Sequence, residues 1–253
     1  MALFFPDDPS YDESVRMKGF DRYRQLLSFY AFDFVKANLL LTVASLPLAA
    51  GILVSVMSSS ILVLIPASLA GGMIMGPFLA VLYDILFRGF RDAPGRFTKS
   101  AVRALRQNWK DALLPGAILG FLIGMYAFMA YIIWWTDAPV PSGSILFCYL
   151  MSAWILLIVT SLFWPQLVLF RQPLMDTCRN ILLFTAKYLW RVAGGALLKL
   201  LLYGILLLFA PWTLILIPFF GFWYPIFADE FFFYEKLNEE LQIEDRINSI
   251  PAR

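Results

Sequence analysis

The chain contains no histidine and only two cysteines among its 253 residues. Without histidine, both the usual general base at neutral pH and the commonest metal ligand are missing. Cys148 and Cys178 do not form a metal-type pair. In the topology derived below they fall near opposite membrane faces, which argues against a disulfide and against a zinc site. Both read as small apolar or surface residues. There is no Gly-x-Ser-x-Gly elbow, no phosphate-binding glycine loop and no metal-ligand cluster, so neither a catalytic site nor a cofactor is implied. Charge is scarce as well. Asp, Glu, Lys and Arg make up 15% of the chain, too little to cover a soluble domain of this length. The formal net charge of +2 gives no ground for a nucleic-acid partner.

What is present is apolar: 60% of the residues are hydrophobic. They fall in blocks long enough to cross a bilayer, which takes about 20 residues of helix. Two pairs of blocks are clear, at residues 37–57 with 61–87 and at 112–135 with 145–170. A third run, 192–228, is interrupted by Lys199 and Pro211. As one helix it would measure about 55 Å, well beyond a hydrocarbon core of about 30 Å. A turn at Ala210–Trp212 divides it into spans near 192–209 and 212–228, Pro211 being the natural breaking point. The predicted fold is therefore all-α, a polytopic membrane bundle of six transmembrane helices arranged as three hairpins. Five spans plus a re-entrant segment is the rival reading.

Placement of charge sets the expected orientation. Residues 88–111 carry Arg88, Arg91, Arg96, Lys99, Arg103, Arg106 and Lys110, and residues 171–191 carry Arg171, Arg179, Lys187 and Arg191. The first 36 residues add Arg16, Lys18, Arg22, Arg24 and Lys36. The turns within the pairs hold no Lys or Arg. Basic connectors stay cytoplasmic, so both termini of the multi-pass chain should lie there. Trp134, Trp135 and Trp212 fall at the outer boundary and Trp109 and Trp190 at the inner one, the pattern of an aromatic belt. The N-terminus does not read as a signal peptide, because it is acidic before it is basic and lacks an apolar core with a small-residue cleavage site.

Each hairpin is preceded by a helical amphipathic stretch. Phe97, Ala101, Leu105 and Trp109 recur every four residues with basic residues between them. Leu174, Cys178, Ile181, Leu182 and Thr185 form a second such face, and Tyr23, Leu26, Leu27, Tyr30 and Phe34 a third. These stretches are expected to lie as interfacial helices on the inner leaflet, basic side toward anionic lipid. The domain plan is an N-terminal arm (1–36), a transmembrane domain (37–228) and an acidic cytoplasmic tail (229–253).

Four segments, in order, carry a family resemblance: FFPDDP followed by NLLLTVASLP at 38–47; IPASLAGGMIMGPFLAVLYDILFRGFRD at 65–92; FTKSAVRALRQNWKDAL at 97–113; and IPFFGFWYP at 217–225. The set resembles the YesL-like family of bacterial membrane proteins. The second hairpin does not share the likeness, and Asp92 stands where family members often have Gly-Glu. The resemblance implies a multi-helix inner-membrane protein with a cytoplasmic N-terminus and a link to carbohydrate uptake. It brings no catalytic or binding residues.

Within the spans, Lys199 is the one basic residue well away from an end. Burying it costs a few kcal/mol on insertion scales unless it snorkels or pairs, with Asp84, Asp229 or Glu230 as partners. Asp84 is preferred, because its immediate neighbours are apolar or aromatic; Arg88, one turn on, competes for it. Gly116, Gly120 and Gly124, and more weakly Gly72 and Gly76, make flat faces for close helix approach, either within the chain or to a membrane partner or second copy. Pro47, Pro77, Pro165 and Pro218 fall in or near apolar runs, and Gln166 is placed to bond the carbonyl that Pro165 frees. The polar lining Asn38, Thr42, Ser45, Ser55, Ser68, Thr160, Ser161, Gln166 and Lys199 is thin for a solute path. The functional expectation is a non-catalytic accessory or scaffold component of a membrane assembly. A small-solute transporter is the alternative.

Overall fold

The computed structural model describes residues 17–93, 95–136, 141–170, 174–209 and 212–244. The FFPDDP segment, Asp137, Arg171, Ala210, Pro211 and the tail beyond residue 244 lie outside the described residues. So do the side chains of Trp135 and Leu174.

Among the described residues seven α-helices build an all-helical bundle: α1 (Gly19–Met57), α2 (Ile61–Phe90), α3 (Phe97–Trp135), α4 (Gly143–Leu169), α5 (Leu174–Lys187), α6 (Leu189–Leu208) and α7 (Trp223–Leu241). Between α6 and α7 the chain forms a 3₁₀ turn, Trp212–Leu216, and a π-helical turn, Ile217–Gly221. Helices α1, α2, α3, α4 and α6 are each long and apolar enough to cross a membrane. Their outward faces carry large apolar side chains, among them Leu53, Leu62, Ile118, Ile155, Leu201 and Leu207, all more than half exposed. A surface of that kind is solvated by lipid. Trp134 and Trp212 are exposed at one end of the bundle and Trp109 and Trp190 near the other, which carries the Lys- and Arg-rich connectors and is called the basic end below.

The third hairpin is a full one. Near the start of α6, Lys187 and Tyr188 both reach Glu240 of α7, at 2.5 and 2.6 Å. Midway, Lys199 meets Asp229 at 3.0 Å. At the far end the Thr213 amide donates to the Phe209 carbonyl at 3.3 Å. The strand of chain after α6 therefore runs antiparallel to it over its whole length and emerges at the basic end. A re-entrant loop would have returned to the face it left. The sixth span is bent by 51° where the π-helical turn meets α7.

Two predicted boundaries change. The basic stretches before the first and second hairpins are not separate interfacial helices. Each is the first part of one continuous 39-residue helix, α1 or α3, about 58 Å long. No proline or glycine interrupts residues 30–42 or 97–114, so the i→i−4 hydrogen bonds carry straight on. Only α5 is a separate amphipathic helix. It turns Thr177, Ile181 and Phe184 inward and leaves Met175, Cys178, Leu182 and Leu183 exposed. The acidic tail also does not begin at residue 229. Asp229 and Glu230 are fully buried in the middle of α7, and that helix continues the bundle to Leu241.

At the basic end an aromatic cluster joins α1, α2 and α7. Phe34 packs on Trp223 and Phe227, Tyr23 on Phe227 and Phe231, and Phe90 stacks on Phe227 and Tyr234 with centroids 5.4 and 4.9 Å apart. These contacts hold α7 upright beside α1 and set the height of Asp229 in the bundle.

Candidate functional site

Lys199 lies ten residues into α6, about 15 Å along its axis. It is buried and donates to three acceptors: Asp229 Oδ2 at 3.0 Å, Ser161 Oγ at 2.9 Å and, more loosely, Tyr83 OH at 3.5 Å. Those partners come from α7, α4 and α2, so one ammonium ties four helices together. Ser161 Oγ also lies within hydrogen-bond reach of Asp229 Oδ2 and of the Leu157 carbonyl. Close approach of α6 and α7 depends on Gly195. A Cβ built there would sit 2.5 Å from Asp229 Oδ1.

The preferred pair, Lys199 with Asp84, does not form. Asp84 accepts from Arg88 Nε at 2.9 Å, and Arg88 also reaches Ser100 Oγ at 3.2 Å. The physical reason is angular. Adjacent residues are about 100° apart around a helix, and α2 turns Tyr83 toward Lys199 while Asp84 faces the basic connector. Gln166 is displaced from expectation by one residue: its Nε2 bonds the Leu162 carbonyl at 3.1 Å, whereas Pro165 frees that of Ser161.

Glu230, beside Asp229, is the unusual member of the cluster. It is fully buried, and neither carboxyl oxygen has a hydrogen-bond partner among the described residues. Asp229 Oδ1 and Gln166 Oε1 are likewise buried and unpartnered. Among the described residues no group of three or more His, Cys, Asp or Glu side chains is placed to hold a metal ion.

Asn38 was one of several scattered polar residues in sequence and is central in three dimensions. Its Nδ2 donates to the carbonyls of Ile217 and Pro218 at 2.8 and 2.7 Å. Its Oδ1 accepts from the amides of Phe222 and Trp223, both at 2.9 Å. One buried amide thus satisfies four backbone groups released where the sixth span breaks, a need that lipid cannot meet. The signal in the sequence was Pro218 and Gly221 within an apolar run, which demanded an outside partner but did not name it.

The glycines of α2 and α3 meet one another inside the chain. A Cβ on Gly72 would lie 2.4 Å from the Gly116 carbonyl oxygen, and one on Gly120 would lie 2.4 Å from Gly72 Cα. Gly76 faces Gly116 and the Ala112 carbonyl, and Gly124 abuts Ser68. The groove is filled by intramolecular packing, the first of its two predicted uses.

At the basic end, Arg22 is buried and bonds the Phe90 carbonyl at 3.0 Å and Asp92 at 2.7 Å. Asp92 stands at φ +53°, where it closes α2 and turns the chain toward α3. Arg91 folds back on the Phe87 carbonyl at 2.9 Å. Arg96, Lys99, Arg103, Arg106 and Lys110 are exposed. Thr98, Lys99, Val102, Arg103, Arg106 and Gln107 line a shallow open groove along one side of α3. A small cavity of about 70 Å³ lies between α1, α2 and α3 near Tyr30, Arg88 and Ser100. Neither depression reaches the Lys199 cluster. No protein-family model, no curated protein and no solved structure matches this chain.

Proposed function

We propose that this protein is a non-catalytic component of a membrane assembly, an accessory or scaffold subunit rather than the solute-carrying part. The observation that carries this reading is the use made of the polar groups within the spans. Lys199 is consumed by Asp229, Ser161 and Tyr83, Asn38 by four backbone groups, and Thr42, Ser45, Ser55 and Ser68 by carbonyls of their own helices. Groups spent in this way fix helix positions and do not line a path. The exposed basic groove of α3 and the outward apolar face of α5 suit a membrane surface rich in anionic lipid. In this reading the basic end faces the cytosol of a bacterium and the chain is YesL-like, with its work linked to carbohydrate uptake.

Purification from native membranes under mild conditions tests the proposal. A stable membrane-protein partner recovered with the chain, and no solute uptake by the pure protein in liposomes, is the expected result. Uptake by the pure protein would transfer the assignment to the second reading, a transporter. One feature favours that alternative: the broken sixth span, with irregular backbone held inside the bundle at Asn38, is a device that transporters use at binding sites. Orientation is tested separately, by labelling single cysteines at Ser59 and at Lys99 with an impermeant reagent from each side.

A further inference from the structure

We infer that Glu230 and Asp229 form a buried proton-binding site, with the proton carried on Glu230 when α7 is seated against α4 and α6. The argument starts from charge. Lys199 supplies one positive charge to the cluster, and Asp229 Oδ2 takes it at 3.0 Å. Glu230 has no cation left to balance it and no donor on either oxygen among the described residues. An ionised carboxylate in that state, away from water, costs several kcal/mol. A proton removes the charge and needs no coordination shell.

The surrounding elements offer nothing else. From α2 the titratable groups are Tyr83, which faces the cluster, and Asp84, already held by Arg88 at 2.9 Å. From α4 they are none, Ser161 and Gln166 being neutral. From α6 they are Lys199 and Tyr203, and from α7 Asp229 itself. A metal cation is disfavoured because the Lys199 ammonium already occupies the centre. Release of the proton leaves a charge that only water can stabilise. The expected response is loosening of α7, whose lower half leads straight to the basic end. Proton occupancy thereby becomes coupled to how tightly the third hairpin is closed. This inference stands apart from the accessory and transporter readings and survives the failure of either.

Infrared spectroscopy of the wild-type protein in lipid nanodiscs, labelled with isotopic glutamate, provides the direct test. The other glutamates in the described residues are at least partly exposed or ion-paired. A protonated-carboxyl band at neutral pH that shifts with labelled glutamate is expected, as is its loss in Glu230→Gln. Thermal melting of the wild type should fall as the buffer turns alkaline, and Glu230→Gln should flatten that dependence while remaining folded. If the glutamine variant does not fold, the labelled wild-type band alone decides. Absence of the band would overturn the inference. So would stabilisation by sodium that disappears in Glu230→Gln.

Discussion

The seam between α2 and α3 and the seam between α6 and α7 both join two membrane helices, and they do it by different physics. The first is closest where neither helix has a side chain. Gly72, Gly76, Gly116 and Gly120 bring backbone against backbone, and the attraction is dispersion over a closely fitted surface. The second is held at points: Lys199 to Asp229 in the middle and Lys187 with Tyr188 to Glu240 at the basic end. A backbone seam cannot open a little, because its contacts are lost together. A point-bonded seam can, because each bond has two states. The difference assigns rigidity to the first two hairpins and adjustability to the third, where Glu230, unpartnered among the described residues, also sits.

The comparison breaks most severely at Gly120. Gly120→Leu would drive its side chain into Gly72 Cα and the Ser68 carbonyl. Overpacking that backbone cannot relieve should cost about 3 kcal/mol or more, seen as loss of the monodisperse peak in size-exclusion chromatography. A variant that stays folded and changes only its oligomer size would instead place the groove at an intermolecular contact.

The charged seam should respond next. Lys199→Ala and Asp229→Ala each strand a buried charge, at about 3 kcal/mol. Their double variant should lose clearly less than the sum in detergent melting, whereas Lys199→Ala combined with Asp84→Asn should be additive. Additivity of the first pair would deny the bond that defines this seam.

Asn38→Ala should cost about 2 kcal/mol, since it orphans two carbonyls and two amides that the bundle shields. Hydrogen exchange at the Phe222 and Trp223 amides should accelerate, while the α2–α3 seam remains protected. Equal acceleration in both places would erase the distinction between the halves.

The smallest effect belongs to the exposed contact at the basic end. The hydrogen bond from Lys187 holds Glu240 below the usual carboxylate range, and the same bond raises Lys187. A lowered acid stabilises above its unfolded value and loses that gain as pH falls through the folded one. A raised base stabilises below its unfolded value and loses the gain as pH rises through the folded one. The contact therefore helps only between the carboxylate and lysine ranges. Glu240→Gln should produce a slight melting shift confined to that window and abolished by salt.

The spans and their pairing were legible in the apolar blocks and the basic residues between them, because a bilayer sets a minimum apolar length for each crossing. The division of 192–228 was legible as well, since a single helix of that length could not fit. Less was legible at the ends. The basic stretches before α1 and α3 have the pattern of surface helices, and pattern alone does not tell whether a helix stops at the membrane or continues through it. Of the candidate residues, Lys199 and the five glycines all make contacts inside the bundle, and of the three carboxylates named for Lys199 it is Asp229, not the preferred Asp84, that pairs with it. Glu230 stood among the possible partners of Lys199, but its burial with neither oxygen bonded among the described residues was not legible, because the acids around it, Asp229 and later Glu235, look like a solvated surface.

Sequence by itself determined that the chain is a multi-pass membrane protein and where its apolar blocks lie, for these follow from hydrophobicity summed over some twenty residues and need no knowledge of neighbours. Tertiary structure alone decided which charges meet, that Asn38 closes the broken span, and that Glu230 is left without a partner among the described residues. Those outcomes depend on the rotation and height of one helix against another. A shift of a single residue turns a side chain by about 100°, and no local pattern records it.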